Sequence, residues 1–121
     1  MPNPVVHFEV TGRDGKKLQN FYSGLFGWKI DANNPMNYGI VEAAEGGIGG
    51  GVGPGEPGSP GNVTFYVQVA DTDAYLKKAE SLGGRIVMPT TTIPGMVTLA
   101  MFADLEGHII GLIKEEPPHD H

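Results

Sequence analysis

Val6-His7-Phe8-Glu9-Val10 and Val63-Thr64-Phe65-Tyr66-Val67 are one pattern written twice, 57 residues apart. The same offset carries Asp14 onto Asp71, Leu25 onto Leu82 and Gly27 onto Gly84. Near the end of each copy the offset becomes 61, and Glu45-Gly46-Gly47-Ile48-Gly49-Gly50 lies on Glu106-Gly107-His108-Ile109-Ile110-Gly111. Two copies of one supersecondary unit predict two equivalent modules related by a pseudo-twofold axis. The positions where the copies differ are where function would be written.

Working outward, Val5 to Val10 is a short β-branched and aromatic run and reads as a strand. Leu18, Phe21, Tyr22, Leu25 and Phe26 follow at i, i+3, i+4, i+7 and i+8, the apolar stripe of an amphipathic helix, and are expected to be its core face. Gly27 is placed to end that helix in the left-handed conformation. Trp28 to Asp31, Tyr38 to Ala43 and Gly47 to Val52 read as strands, the first two around the turn-forming Asn33-Asn34-Pro35. Gly53 to Gly61 holds only Gly, Pro, Glu and Ser and reads as a solvated linker. The order then recurs. Val63 to Val69 is a strand, Asp71 is the N-cap of a helix running through Leu82, and Tyr75, Ala79 and Leu82 mark its buried side. Arg85 to Met88, Val97 to Ala103 and His108 to Lys114 are three further strands. The fold class is therefore α+β, with two βαβββ modules: module one over 5–52, a linker over 53–61, module two over 62–115, and a disordered polar tail over 116–121. All of it is expected to form one domain spanning 1–121.

Side chains alternate along a strand. Val6, Phe8 and Val10 share one face of the first strand, and His7 and Glu9 share the other. In module two, Val63, Phe65, Val67 and Val69 share one face, and Thr64, Tyr66 and Gln68 the other. The apolar faces are expected to meet the helices, and the mixed faces to line whatever the sheets enclose.

The chain has 121 residues, the size of one domain. A net charge of −6 argues against nucleic acid or an anionic membrane as partner and leaves room for a cationic ligand. There is no cysteine, hence no disulfide, thiolate ligand or thiol nucleophile. The beginning, Met1-Pro2-Asn3-Pro4, lacks the basic flank and apolar run of a signal peptide, and no apolar stretch approaches the ~20 residues of a membrane span. The expectation is a soluble, cytoplasmic protein.

At this point the chain resembles the vicinal oxygen chelate superfamily, the group of glyoxalase I, extradiol dioxygenases and the bleomycin- and fosfomycin-resistance proteins. The residues that carry the resemblance are Val6 to Val10, Phe21-Tyr22-Ser23-Gly24-Leu25-Phe26-Gly27-Trp28, Leu82-Gly83-Gly84, and Asp104 to Leu112. Leu105 departs from the proline usual after that Asp, which concerns only a turn. The resemblance implies βαβββ sheets curled into a cup, and in many members a homodimer. It also implies a metal held by His and Glu from the middle of the first strand and from the last strand of each module. His7 matches the first of these positions. The others fall at Thr64, Gly50 and Gly111, with the last-strand register taken from Glu45-Gly46 and Glu106-Gly107. Zinc, nickel and iron sites need about three His or carboxylate ligands. One match of four speaks for no metal cofactor, with a divalent Zn, Ni or Fe site as the alternative.

His7 and Glu9 are the candidate catalytic residues. A histidine near its ordinary pKa suits proton transfer, and a carboxylate inside a cup calls for a partner. Thr64, Tyr66 and Gln68, with the side-chain-free Gly50 and Gly111, are the candidate ligand-binding positions. His7 as a merely hydrogen-bonded strand residue, Glu9 as half of a buried pair, and Tyr66 and Gln68 as cross-strand packing stay open beside these readings. Trp28 reads as a core or dimer-contact aromatic, Met96 and Met101 as core, and His108 as a rim residue. The His119-Asp120-His121 end could bind adventitious metal, with a disordered tail as the plainer reading. The functional expectation is a metal-free protein enclosing a small organic molecule, as in bleomycin-type sequestration. The alternatives are a metal-dependent lyase, isomerase or dioxygenase of the glyoxalase type, and a cofactor-free acid–base enzyme using His7 and Glu9.

Overall fold

In a computed structural model of the chain, residues 2–115 are described. The expected tail over 116–121 lies outside them. The described residues fall into two compact units, 6–65 and 66–115 together with 2–5.

The first unit holds most of β1 (Val5–Gly12), α1 (Gly15–Phe26), β2 (Ile30–Asp31), β3 (Gly39–Val41) and β4 (Gly49–Pro54). Its strands lie in the order β2-β3-β4-β1. β1 and β4 run parallel, and the other neighbours are antiparallel. Parallel neighbours cannot be joined by a tight turn and need a long crossover, which α1, β2 and β3 supply. β4 takes Gly53 and Pro54, so the linker expected from Gly53 begins two residues later.

Module two repeats the order with β5 (Asn62–Val69), α2 (Thr72–Ser81), β6 (Arg85–Ile93), β7 (Val97–Ala103) and β8 (Ile109–Lys114). β5 and β8 are parallel, while β8, β7 and β6 are antiparallel in turn. β6 runs five residues past the expected Met88, through two register shifts, the second of which spans Pro89, where the ladder lacks a donor. The fold class is α+β, built from two βαβββ modules.

Both helices start as their sequences dictate. The Asp14 carboxylate accepts from the amide of Lys17, and Asp71 accepts from that of Ala74. Gly27 ends α1 at φ 70° and donates its amide to the Ser23 carbonyl. The core of the second unit is Val69, Leu76, Ala100 and Leu112, with Val67, Tyr75, Ile86 and Phe102 packed against it.

The helix faces differ from expectation. Phe21, Leu25 and Phe26 are more than half exposed, so they are not the core face of α1. The buried positions are Gly15 and Gln19, with Leu18, Tyr22 and Ser23 half-buried. A helix can approach a sheet closely where it carries glycine. A Cβ on Gly15 would lie 2.4 Å from the Pro54 nitrogen. The inward line is thus 15-18-19-22-23, rotated from the apolar stripe. On α2 the buried apolar residue is Leu76, and Leu82 is exposed because it lies past the last helical turn. Val63 and Phe65, expected to meet a helix, are exposed, as is Met96 in the β6–β7 turn. No helix among the described residues is long and apolar enough to cross a membrane.

Candidate functional site

The ladder between β1 and β4 sets His7 opposite Gly49, Phe8 opposite Gly50, and Glu9 opposite Gly51. Directly opposed residues send their side chains to one face. Gly50 therefore belongs with Phe8 and not with His7. A Cβ there would lie 2.4 Å from the Phe8 ring, which packs on Trp28 with centroids 5.2 Å apart. The residue beside Glu9 is Gly51. In module two the ladder pairs Tyr66 with Gly111, so Gly111 corresponds to Gly51. The match of Gly50 to Gly111 drawn from the Glu-Gly turns is off by one. The turn before β4 is one residue longer than its counterpart, and a one-residue slip exchanges the two faces of a strand.

The space that Gly51 leaves is filled. A Cβ at residue 51 would fall 1.7 Å from the Tyr38 hydroxyl oxygen. Tyr38 Oη donates to Glu9 Oε2 at 2.9 Å and lies 2.9 Å from His7 Nε2. The His7 and Tyr38 rings are nearly parallel, 19° apart, with centroids separated by 6.4 Å. His7 and Glu9 do come together, as their alternation in the strand implies, but through a tyrosine the sequence reading passed over.

Tyr38 is delivered by a loop fastened at several points. Asn34 Oδ1 accepts from the amides of Met36 and Tyr38, and Asn34 Nδ2 donates to the Tyr38 carbonyl at 2.7 Å. Asn37 adopts φ 53°, a left-handed conformation that asparagine tolerates better than most residues. From α1, the Gln19 amide nitrogen donates to the carbonyls of Asn37 at 3.0 Å and Val52 at 2.8 Å. One buried side chain thus ties helix, loop and strand β4 together. The available signal was the recurrence of asparagine at 33, 34 and 37 just before a tyrosine.

His7, Glu9 and Tyr38 are all half-buried. Burial disfavours the charged imidazolium and lowers the His7 pKa from its ordinary value.

In module two, Thr64 and Tyr66 are buried. The Tyr66 ring occupies the space over Gly111, where a Cβ would come within 2.3 Å of it. The Gln68 amide donates to the Pro4 carbonyl at 2.9 Å. His108 lies exposed, as expected, with Nδ1 3.0 Å from Asp104 Oδ2. The hydrogen bond from the His108 amide is the main cause that holds the Asp104 carboxyl below its ordinary pKa; desolvation opposes it, and the Glu106 amide and the His108 ring add to the lowering. Two open grooves of about 620 and 730 Å3 flank α1. Neither is lined by His7, Glu9 or Tyr38.

The residues present do not fit a metal centre of the kind the resemblance implies. Among the described residues no three His, Cys, Asp or Glu side chains converge. The last-strand positions on the relevant faces, Gly51 and Gly111, are covered by aromatic rings.

Comparison with known proteins agrees with this architecture. The chain is 32% identical over 82 residues to the putative glyoxylase CFP32 of Mycobacterium tuberculosis, covering 68% of this chain and 31% of that protein. It is 28% identical over 123 residues to the anthracycline biosynthesis protein DnrV of Streptomyces peucetius, covering 88% and 45%. The chain thus spans less than half the length of these curated relatives. Among solved structures it is similar to a glyoxalase/bleomycin resistance protein/dioxygenase superfamily member from Vibrio splendidus, with a TM-score of 0.66, 16% identity, and 95% and 100% of the two chains covered. The profile of the Glyoxalase/Bleomycin resistance protein/Dioxygenase superfamily matches residues 5–112, and the chain belongs to that superfamily.

Proposed function

We propose that the chain binds a small organic molecule at the face formed by His7, Tyr38 and Glu9, without a catalytic metal. The observation that carries this reading is the Tyr38 bridge, a three-member polar chain built onto one half-buried strand face. Polar groups withdrawn from water need hydrogen-bond partners, and a few convergent polar groups on one face are what orients a small ligand. Glu9 and the net charge of −6 favour a cationic or hydroxyl-bearing ligand. Thr64, Tyr66, Gln68 and Gly111 are carried as further candidate contacts, each on its own strand. A homodimer and a cytoplasmic location complete the proposal.

The test is a thermal-shift panel that includes bleomycin, the anthracycline daunorubicin and simple cationic metabolites, run beside metal analysis of tag-free protein. A ligand at a hundred times its Kd stabilises the fold by about 2.7 kcal/mol, and Glu9→Gln should abolish that shift. Stoichiometric zinc, nickel or iron would overturn the metal-free part. No shift with any compound would overturn the binding part.

The lowered His7 pKa favours a second reading, an acid–base enzyme in which the neutral imidazole takes a proton. Turnover lost in both His7→Ala and Glu9→Ala would support it over simple binding.

A further inference from the structure

A hydrogen bond has a direction, and with Glu9 ionised the contacts of Tyr38 Oη with Glu9 and with His7 can run only one way. A carboxylate accepts and cannot donate. Glu9 therefore takes the Tyr38 hydroxyl proton. That hydroxyl has a single proton, so at its 2.9 Å contact with His7 Nε2 it must accept. Nε2 then carries the ring proton of neutral His7. We propose that Tyr38 is a positioning residue that holds His7 as the Nε2–H tautomer and so makes Nδ1 the basic, hydrogen-bond-accepting nitrogen of the ring.

The surroundings of Tyr38 support a placement of this kind. Gly51 leaves the volume that its hydroxyl occupies. Asn34 bonds both its amide and its carbonyl. Gln19 fastens the preceding residue to β4. These restraints come from α1, the β2–β3 loop and β4, three separate stretches of sequence, and they converge on one hydroxyl.

The assignment deepens the functional reading above and rests on it only for its use. A group that meets Nδ1 must donate, which admits an N–H, a hydroxyl, an enol or an acidic C–H and excludes a bare acceptor. If a proton is transferred, a bond forms at Nδ1, the N–H, O–H or C–H bond of the ligand breaks, and its electron pair stays on the ligand. The imidazolium so formed donates a charge-assisted bond from Nε2 to Tyr38, which passes to Glu9. No redox partner is needed.

The tautomer can be read directly, without any ligand, by long-range 15N–1H correlation on the full chain labelled at histidine. The measurement belongs at about pH 8, above the ordinary histidine range, and His7→Gln assigns the signals. The expected result is a pyrrole-like Nε2, a pyridine-like Nδ1 and a slowly exchanging Hε2. In Tyr38→Phe the slow exchange should be lost. If that variant does not fold, Glu9→Gln replaces it. Its amide both donates and accepts, so it no longer dictates the direction, and both tautomers should appear. A proton on Nδ1 in the wild type, meaning that the chain runs the other way from an acid form of Glu9, overturns the inference. So does a tautomer and exchange rate unchanged in the folded variant. A blank ligand panel would sink the binding reading and leave this result standing. An Nδ1–H tautomer would do the reverse.

Discussion

One methyl group at residue 51 would test the site without touching a charge. In Gly51→Ala the new carbon would lie 1.7 Å from the Tyr38 hydroxyl, so the ring must leave its place between His7 and Glu9. Overpacking of this kind costs about 1–3 kcal/mol, and the His7 side-chain resonances should shift with it. Gly50→Ala is the matched control. Its methyl would meet the Phe8 ring at 2.4 Å, on the opposite face. A comparable loss of stability is expected there, with the His7 resonances unmoved. Equal shifts in both variants would refute the face assignment. His7 also gives the protein a pH signature. Its folded pKa is depressed, so the unfolded chain takes up the proton first as pH falls. Stability should decline as pH drops below the ordinary value of 6.5 and level off below the folded pKa. Asp104 acts in a separate window. Its stabilising contribution is present above the ordinary 3.8 and is lost as pH falls through its own lowered pKa. Melting curves of wild type and His7→Gln between about pH 5 and 8 check the first window, because the substitution should flatten the slope there. That His7 and Glu9 share a face was legible from the period-two alternation of a strand. Tyr38 was not, because its reach depends on a residue 13 positions later having no side chain.

At the scale of elements, strands and caps were more legible than helix faces, and α1 explains why. Strand alternation is strict, whereas a helix can turn its apolar stripe from the sheet when something else fits there better. In α1 that place is taken by Gly15, which allows close approach, and by Gln19, which satisfies two carbonyls. Neither residue carries a hydrophobic signal. Gln19→Leu keeps the volume but removes both donors and leaves the Val52 carbonyl, now buried, without its side-chain partner. Each such loss costs about 1–3 kcal/mol. The variant should unfold at lower urea, with an unchanged slope. An unaltered midpoint would show that the tie between helix, loop and β4 contributes nothing. For α2, Leu76 is the buried anchor at 3% exposure. Leu76→Ala should cost about 2–5 kcal/mol. Leu82→Ala, at a position the spacing had marked as core, should cost far less, since Leu82 is 69% exposed.

At the scale of the whole molecule, the duplication makes the two βαβββ modules readable in the sequence, because similarity between the copies fixes element order and type. The same comparison misled at β4, since turns in two copies can differ by a residue while their strands keep register. What repetition does not convey is which apolar residues a second chain would cover. Phe21, Leu25 and Phe26 project from α1 with more than half their surface exposed, beside an aromatic cluster in which Tyr22 stacks on Trp28 at 5.6 Å and Phe26 lies 5.1 Å from the same ring. Contiguous exposed apolar surface is uncommon on monomeric proteins and marks contact sites. The proposed homodimer would bury this surface. A charge placed in such a contact must be desolvated without a partner, which is costly. Leu25→Glu is the suitable variant because Leu25 is already exposed, so the isolated fold should keep its stability. Sedimentation equilibrium at micromolar concentration should find a dimer for the wild type and a monomer for Leu25→Glu, with equal far-ultraviolet circular dichroism. A wild-type monomer would remove the dimer from the proposal. A dimer indifferent to Leu25→Glu would move the interface away from α1.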